Sequence, residues 1–151
     1  MADSRKKRTD RIGQLLFIGA QAAQALAAER LDPLGLSPRA WGVLSTLRES
    51  GPLTQIELAT ALSIDRTAMV YLVDELEEGG LVERLRNPQD RRSYLVTLTP
   101  KGKARRKKAA SELSGQVEIL LQPLSAVERR QLVELLTRIA DHWEELNAGA
   151  A

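Results

Sequence analysis

Three residues, Ser63-Ile64-Asp65, separate two stretches with helical signatures, and that spacing restricts the fold more than any other feature of the chain. Upstream, Thr54-Gln55-Ile56-Glu57 is a capping box, in which the Thr hydroxyl and the Glu carboxylate each satisfy an orphan backbone amide. It opens a short helix through about Leu62. Downstream, Asp65 to Glu78 carries Met69, Leu72, Val73 and Leu76 at helical spacing, a stripe that calls for burial. Gly79-Gly80 closes this helix, because glycine adopts the left-handed conformation without a Cβ clash. Two short helices joined so tightly form a helix-turn-helix pattern. "LVERLR" and "SYLVTL" then read as strands, with Tyr94, Val96 and Leu98 alternating against Ser93, Leu95 and Thr97. A hairpin directly after the second helix makes the unit a winged helix-turn-helix.

The flanks are helical. Ile12, Leu15, Leu16, Ala20, Ala23 and Leu26 recur at helical period from Asp10 to about Glu29, and "LDPLGL" then breaks the chain. Ser37-Pro38 is an N-cap followed by proline at the first helical position, predicting a helix to about Glu49. Thr99-Pro100 repeats that start and predicts a long helix to about Leu121. Ser125-Ala126-Val127-Glu128 is a second capping box, followed by Leu132, Leu136, Ile139, Trp143 and Leu146 on one face, and "AGAA" reads as a frayed tail. At 151 residues the chain is one domain's worth. The expectation is a single domain over 1–151, mainly α with a small β-hairpin wing. A DNA-binding lobe covers about 37–99, and dimerisation helices cover about 10–29 and 100–147. The terminal stripes carry more apolar surface than one thin winged lobe covers, which calls either for a second copy of the chain or for packing within a larger monomer core.

No run of eighteen apolar residues occurs, so no membrane span is expected, and the basic start "MADSRKKRTDR" lacks the apolar stretch of a secretory signal. With zero cysteines, disulfides and thiolate metal sites are excluded. A cytoplasmic protein is the expectation.

Charge is strongly patterned behind a net of +2. Residues 81–108 hold ten basic and two acidic side chains, whereas residues 12–80 hold four basic and nine acidic ones. Such asymmetry attracts a polyanion, although a basic run is also compatible with a solvated face. Turn tips usually carry small, bland residues, yet the polar turn between the strands carries Asp90-Arg91-Arg92.

If the Asp65–Glu78 helix buries its apolar stripe, Arg66, Thr67, Val70, Tyr71 and Asp74 face the other way. Arg66 can donate to guanine or phosphate, Thr67 can bond a base edge or phosphate, and Val70 and Tyr71 can meet thymine methyls. Clustered at the N-terminal end, these types suit entry into a major groove, while the acidic "DELEE" half would repel phosphate. At the wing, Arg91 or Arg92 can enter a minor groove, where narrow A·T-rich stretches concentrate negative potential. Asp90 suits an orienting role, holding the Arg92 guanidinium, or else forms a local surface ion pair worth about 0–1 kcal/mol. Lys101 and Lys103, in "KGKARRKK", are placed either to contact phosphate or to form a solvated face.

The stretch "LATALSIDRTAMVYLVDELEEGGLVERLRNPQDRRSYLVTLTPKGK", Leu58 to Lys103, resembles the MarR family of bacterial regulators. The Asp90-x-Arg92 pair of the wing, the following "LTPKG" and the "GGLVER" leading into the first strand carry that resemblance. It implies a homodimeric regulator of double-stranded DNA at a pseudo-palindromic operator, usually a repressor. It further implies release by a small, often aromatic anionic ligand, with Arg92 in the minor groove. Effectors in this family sit between the dimerisation helices and the DNA-binding lobe, which on this chain nominates Phe17, Arg39 and Trp41. Arg39 would pair an effector carboxylate and Trp41 would stack on its ring; alternatively Trp41 is core and Arg39 surface.

No catalytic constellation, cofactor motif or metal site is expected. His142 is the only histidine, and there is no glycine-rich phosphate loop. The alternative to a DNA-binding regulator is a winged helix used for protein–protein contact. That fold would have no need of Arg66 and Arg92 on two separate elements.

Overall fold

The computed structural model describes residues 2–148, with side chains from Arg11 to Leu146. The side chains of the first ten residues and the end of the "AGAA" tail lie outside the described residues. The chain divides into two compact units, one up to Val117 and one from Glu118.

In the first unit, α1 (Ala2–Leu31) leads through a 3-10 turn (Asp32–Leu34) to α2 (Pro38–Ser50), α3 (Gln55–Ala61) and α4 (Arg66–Glu78). Strands β1 (Val82–Arg86) and β2 (Tyr94–Leu98) follow, then α5 (Pro100–Leu113) and the start of α6 (Gln116–Leu121). The second unit holds the rest of α6 and α7 (Ala126–Ala148). The architecture is mainly α with one antiparallel hairpin, as the hydrophobic periods require.

Caps fix the boundaries. The Ser37 hydroxyl accepts from Ala40 N at 3.1 Å, and both arms of the Thr54–Glu57 box are made. At α7 the Ser125–Glu128 box forms likewise, and the hydrogen bonds from the Ser125 amide and then its hydroxyl hold the Glu128 carboxyl below its ordinary range. Helix α4 ends in a Schellman turn. Leu81 N donates to Leu76 O and Gly80 N to Glu77 O, both at 2.9 Å, with Gly80 left-handed at φ +68°.

The core of the first unit lies where α2, α3 and α4 meet the base of the hairpin. Val43, Leu44, Leu58, Met69, Val73, Val82 and Val96 are almost wholly buried there, joined by Leu31 from α1 and Ala109 from α5. In the hairpin Val82 faces Leu98 and Arg86 faces Tyr94. On its other edge β2 pairs with Leu53, through Val96 N to Leu53 O at 2.7 Å and Leu53 N to Val96 O at 3.2 Å.

Two boundaries differ from the sequence expectation. Helix α1 begins at Ala2 rather than near Asp10, since residues 2–12 contain neither proline nor glycine to stop it. The helix expected to run unbroken to Leu121 is interrupted at Ser114-Gly115, where Gly115 is left-handed at φ +86°. The break lets the buried Gln116 side chain turn onto α1, where its amide, oriented to suit its neighbours, donates to Leu26 O at 2.9 Å and accepts from Arg30.

The start of α5 grips the end of α4. Thr99 N donates to Leu81 O at 3.1 Å; its hydroxyl donates to Gly80 O at 2.6 Å and accepts from Gly102 N at 2.9 Å. Lys101 Nζ donates to Gly79 O at 2.7 Å. Gly102 closes this clasp with no room to spare, because a Cβ there would sit 1.9 Å from the Leu81 carbonyl oxygen. Backbone on both sides must move to admit one carbon. Gly102→Ala is therefore expected to lower stability by about 2 kcal/mol or more, the scale of overpacking a rigid contact. Urea unfolding of the variant against the native chain measures this, and an unchanged midpoint would rule out the close approach.

Candidate nucleic-acid interface

The four-residue linker between α3 and α4, Leu62 to Asp65, works because Ser63 takes a left-handed conformation, φ +50°, while Ile64 packs against the core. Asp65 is the N-cap of α4: its carboxylate accepts from Thr67 N at 3.2 Å and from Ala68 N at 2.9 Å. With Met69, Leu72, Val73 and Leu76 buried, the opposite face exposes Arg66, Thr67, Val70, Tyr71 and Asp74. Tyr71 is 71% exposed and Val70 43%, an uncommon outlay of apolar surface for a helix that ends in a packed core.

The hairpin tip is internally braced. Asn87 N donates to Ser93 O at 3.1 Å, and Ser93 N to Asp90 O at 3.0 Å. Asp90 Oδ1 accepts from Arg92 N at 3.0 Å, so the carboxylate shapes the turn through the backbone amide rather than through the guanidinium. The side chains of Arg91 and Arg92 are exposed. Along the arm, Arg86 lies 5.5 Å from the centre of the Tyr94 ring and donates to Arg91 O at 3.0 Å, tying strand to tip.

The basic start of α5 is shared between structure and solvent. Lys101 caps the C-terminal end of α4, Arg105 donates to Leu34 O, and the Arg106 guanidinium stacks 5.4 Å from the Trp41 ring. Lys103, Lys107 and Lys108 are exposed. A charge run such as "KGKARRKK" does not reveal which of its side chains turn inward.

The acidic half of α4 has a partner that sequence did not suggest. Arg84 of β1 donates to Asp74 Oδ1 at 2.5 Å, to Glu77 Oε2, and through Nε to Gln55 Oε1 at 2.9 Å. Its backbone amide also donates to Glu77 Oε1 at 3.0 Å. The available signal was a basic residue at an inward strand position opposite an acidic helix end.

A cleft of about 790 Å³ opens in the first unit beside α2. Trp41, Leu62, Ile64 and Leu113 form apolar walls, and Arg39 and Gln116 supply polar groups. Of the residues nominated for a ligand, Arg39 and Trp41 are together here, whereas Phe17 stands 63% exposed on α1 away from the lining. The cation over Trp41 is Arg106, from α5, and not Arg39. Among the described residues no cluster of His, Asp or Glu has the geometry to hold a metal ion, and no helix is long and apolar enough to cross a membrane.

Residues 36–94, from Leu36 before α2 to Tyr94 at the start of β2, match the MarR family. A multiple antibiotic resistance protein MarR from Salmonella typhimurium is 38% identical over 93 residues, 62% of this chain; the match spans 65% of that protein's length. Among solved structures, a cysteine-to-serine mutant of MarR from E. coli complexed with operator DNA superposes with a TM-score of 0.78 at 32% identity. That likeness covers 85% of this chain and 93% of the other. CouR from Rhodococcus jostii RHA1, bound to p-coumaroyl-CoA, superposes with a TM-score of 0.77 at 31% identity, covering 87% and 93%. On the strength of these likenesses and of the helix, wing and clasp described above, the chain belongs to the MarR family.

Proposed function

We propose that the chain is a sequence-specific transcriptional regulator that binds double-stranded DNA as a homodimer, represses, and is released by a small anionic aromatic ligand. The observation that carries this reading is the division of exposed contact groups between two elements of one lobe. Arg66, Thr67, Val70 and Tyr71 stand on the first turns of α4, and Arg91 and Arg92 stand on the wing tip. The helix would read base edges in a major groove, and Arg92 would enter the adjoining minor groove. Asp90 contributes by shaping the tip. The exposed Lys103, Lys107 and Lys108 would meet phosphates, whereas Lys101 acts first as a cap on α4. A protein-contact module would leave the paired Arg elements without a task, and the E. coli relative seen on operator DNA supports the DNA reading.

The homodimer is supported by apolar surface. On α1, Ile12, Leu15, Phe17 and Ile18 are each more than half exposed, and on α7 Val133, Ile139, Trp143 and Leu146 are as well. Monomers rarely leave this many large apolar side chains more than half exposed on two helices. Helices α1 and α5 to α7 would therefore join two copies, leaving residues 37–99 as the reading lobe. Two-fold symmetry then calls for a pseudo-palindromic operator with half-sites about 34 Å apart.

Fluorescence anisotropy with upstream intergenic DNA and a scrambled duplex, across a salt series, tests the main reading. Preferential binding that falls steeply with salt is expected; equal, weak binding to both duplexes, or binding indifferent to salt, would remove it. Arg92→Ala should weaken operator binding about tenfold, within the range for a lost groove contact, without changing thermal stability or dimer mass. Unchanged affinity would take the wing out of the mechanism.

For the effector, the cleft offers Trp41 as an aromatic wall and Arg39 for a carboxylate or phosphate, and the relative holding p-coumaroyl-CoA supports that chemistry. The chain has two tryptophans, so in a Trp143→Phe background Trp41 reports alone. Titration with p-coumaroyl-CoA should quench its emission and lower operator affinity. Arg39→Ala should weaken the titration about tenfold, as expected for a hydrogen-bonded ion pair. Quenching that Arg39→Ala leaves untouched would place the anion elsewhere.

A further inference from the structure

We propose that Arg84 is a positioning residue for DNA reading: it fixes the angle between the wing and α4, so that the tip and the helix meet their grooves together. This rests on the DNA-reading function above. The geometry is a three-element clamp. One guanidinium, only 20% exposed, bonds Asp74 and Glu77 on α4 and Gln55 at the start of α3, while the Arg84 amide bonds the same Glu77. An Arg fork makes several directed bonds at once and so sets orientation, which a single point charge does not.

Its location along the wing gives the clamp leverage. Val82, Val96 and Leu98 anchor the hairpin base in the core, and Arg84 pairs across the ribbon with Val96. Beyond that pair the arm leaves the body, with Leu85 50% and Tyr94 46% exposed. The arm itself is stiff, braced by Arg86 on Tyr94, by Arg86 to Arg91 O, and by the Asn87 and Ser93 bonds. A stiff arm swings about its last attachment, and Arg84 is that attachment. At about 3.3 Å per residue the tip stands at most about 20 Å beyond it, so a tilt of about 10° displaces the tip by up to about 3 Å. That is enough to withdraw Arg92 from a groove while α4 stays docked.

The competing role for Arg84 is direct attraction of phosphate, and charge separates the two. The Asp74→Asn, Glu77→Gln double variant retains Arg84 and removes two negative charges from the DNA-facing lobe. If Arg84 were a phosphate contact muted by its partners, this variant would bind DNA more tightly and with a steeper salt slope. Positioning predicts weaker specific binding, by about fivefold or more, despite the added positive charge, and Arg84→Met should weaken it similarly. Positioning also predicts that Arg92→Ala costs much less in the double variant than in the native chain, because the wing is already out of register. Additive losses, or tighter binding, would overturn the proposal.

A readout without DNA keeps this test separate from that of the function itself. The chain has no cysteine, so Gln89→Cys accepts a single spin label at the wing tip. Its spectrum should show faster motion in the Asp74→Asn, Glu77→Gln background, with thermal stability and dimer mass unchanged. An unchanged spectrum would overturn the clamp even if the native chain binds its operator. A mobile tip in a protein that binds no operator would instead retain the clamp and remove the DNA reading.

Discussion

The structure depends on the close approach of α5 to the end of α4 at the Leu81 carbonyl. That one oxygen accepts from Thr99 N and lies against the bare Cα face of Gly102, while the two carbonyls before it are taken by Lys101 and the Thr99 hydroxyl. The three carbonyls just beyond α4, of Gly79, Gly80 and Leu81, are thereby satisfied by one turn of α5. The same turn is where β2 ends, so the helix, both strands and α5 are fixed to one another across a single junction. The "TPKG" run is legible as a clasp: a threonine that both donates and accepts, a proline with no N–H to satisfy, a lysine that caps, and a glycine that allows contact.

From that junction the reading elements extend in two ways. Helix α4 is held along its length by buried Met69, Leu72, Val73 and Leu76, so its exposed face has little freedom. The hairpin is held only at its base, by Val82, Val96 and Leu98 and by the Leu53 edge contact. Apolar packing resists separation but defines direction poorly for a ribbon that runs into solvent. Directed bonds to Arg84 supply what packing lacks, and they account for acidic residues on a helix that should favour phosphate. Asp74 and Glu77 would be a liability at a DNA surface if they stood alone. Paired, they act in positioning.

Much of this was legible in the sequence where local rules decide. Both capping boxes, the Ser37 and Thr99 caps, the Gly-Gly stop and the strand alternation rest on neighbours within four residues, and each formed where its motif stood. The break at Ser114-Gly115 was not legible, because a glycine is tolerated inside a helix and only the long-range bonds of Gln116 to α1 favour the turn. The same reason hid the Arg84 clamp, whose partners lie seven, ten and twenty-nine residues away. Asp90 shows the limit from the other side. Its proximity to Arg92 was visible, but whether a carboxylate takes a guanidinium or a backbone amide is decided by the turn geometry, which only the folded tip provides.

The distribution of positive charge follows the same division. Of the ten basic residues between positions 81 and 108, Arg84, Arg86, Lys101, Arg105 and Arg106 have partners inside the fold. Arg91, Arg92, Lys103, Lys107 and Lys108 remain exposed. A cation already bonded to a carbonyl or carboxylate does not release a counterion when DNA arrives unless it first gives up that bond. The salt dependence of binding scales with the phosphates actually neutralised, at about 0.9 per contact on duplex DNA. It should therefore follow the exposed half of this segment, together with Arg66, rather than its full basic count. The charge asymmetry that singles out this stretch of sequence is thus part structural clamp and, on the proposed function, part reading surface, and the two parts lie side by side because the first holds the second in place.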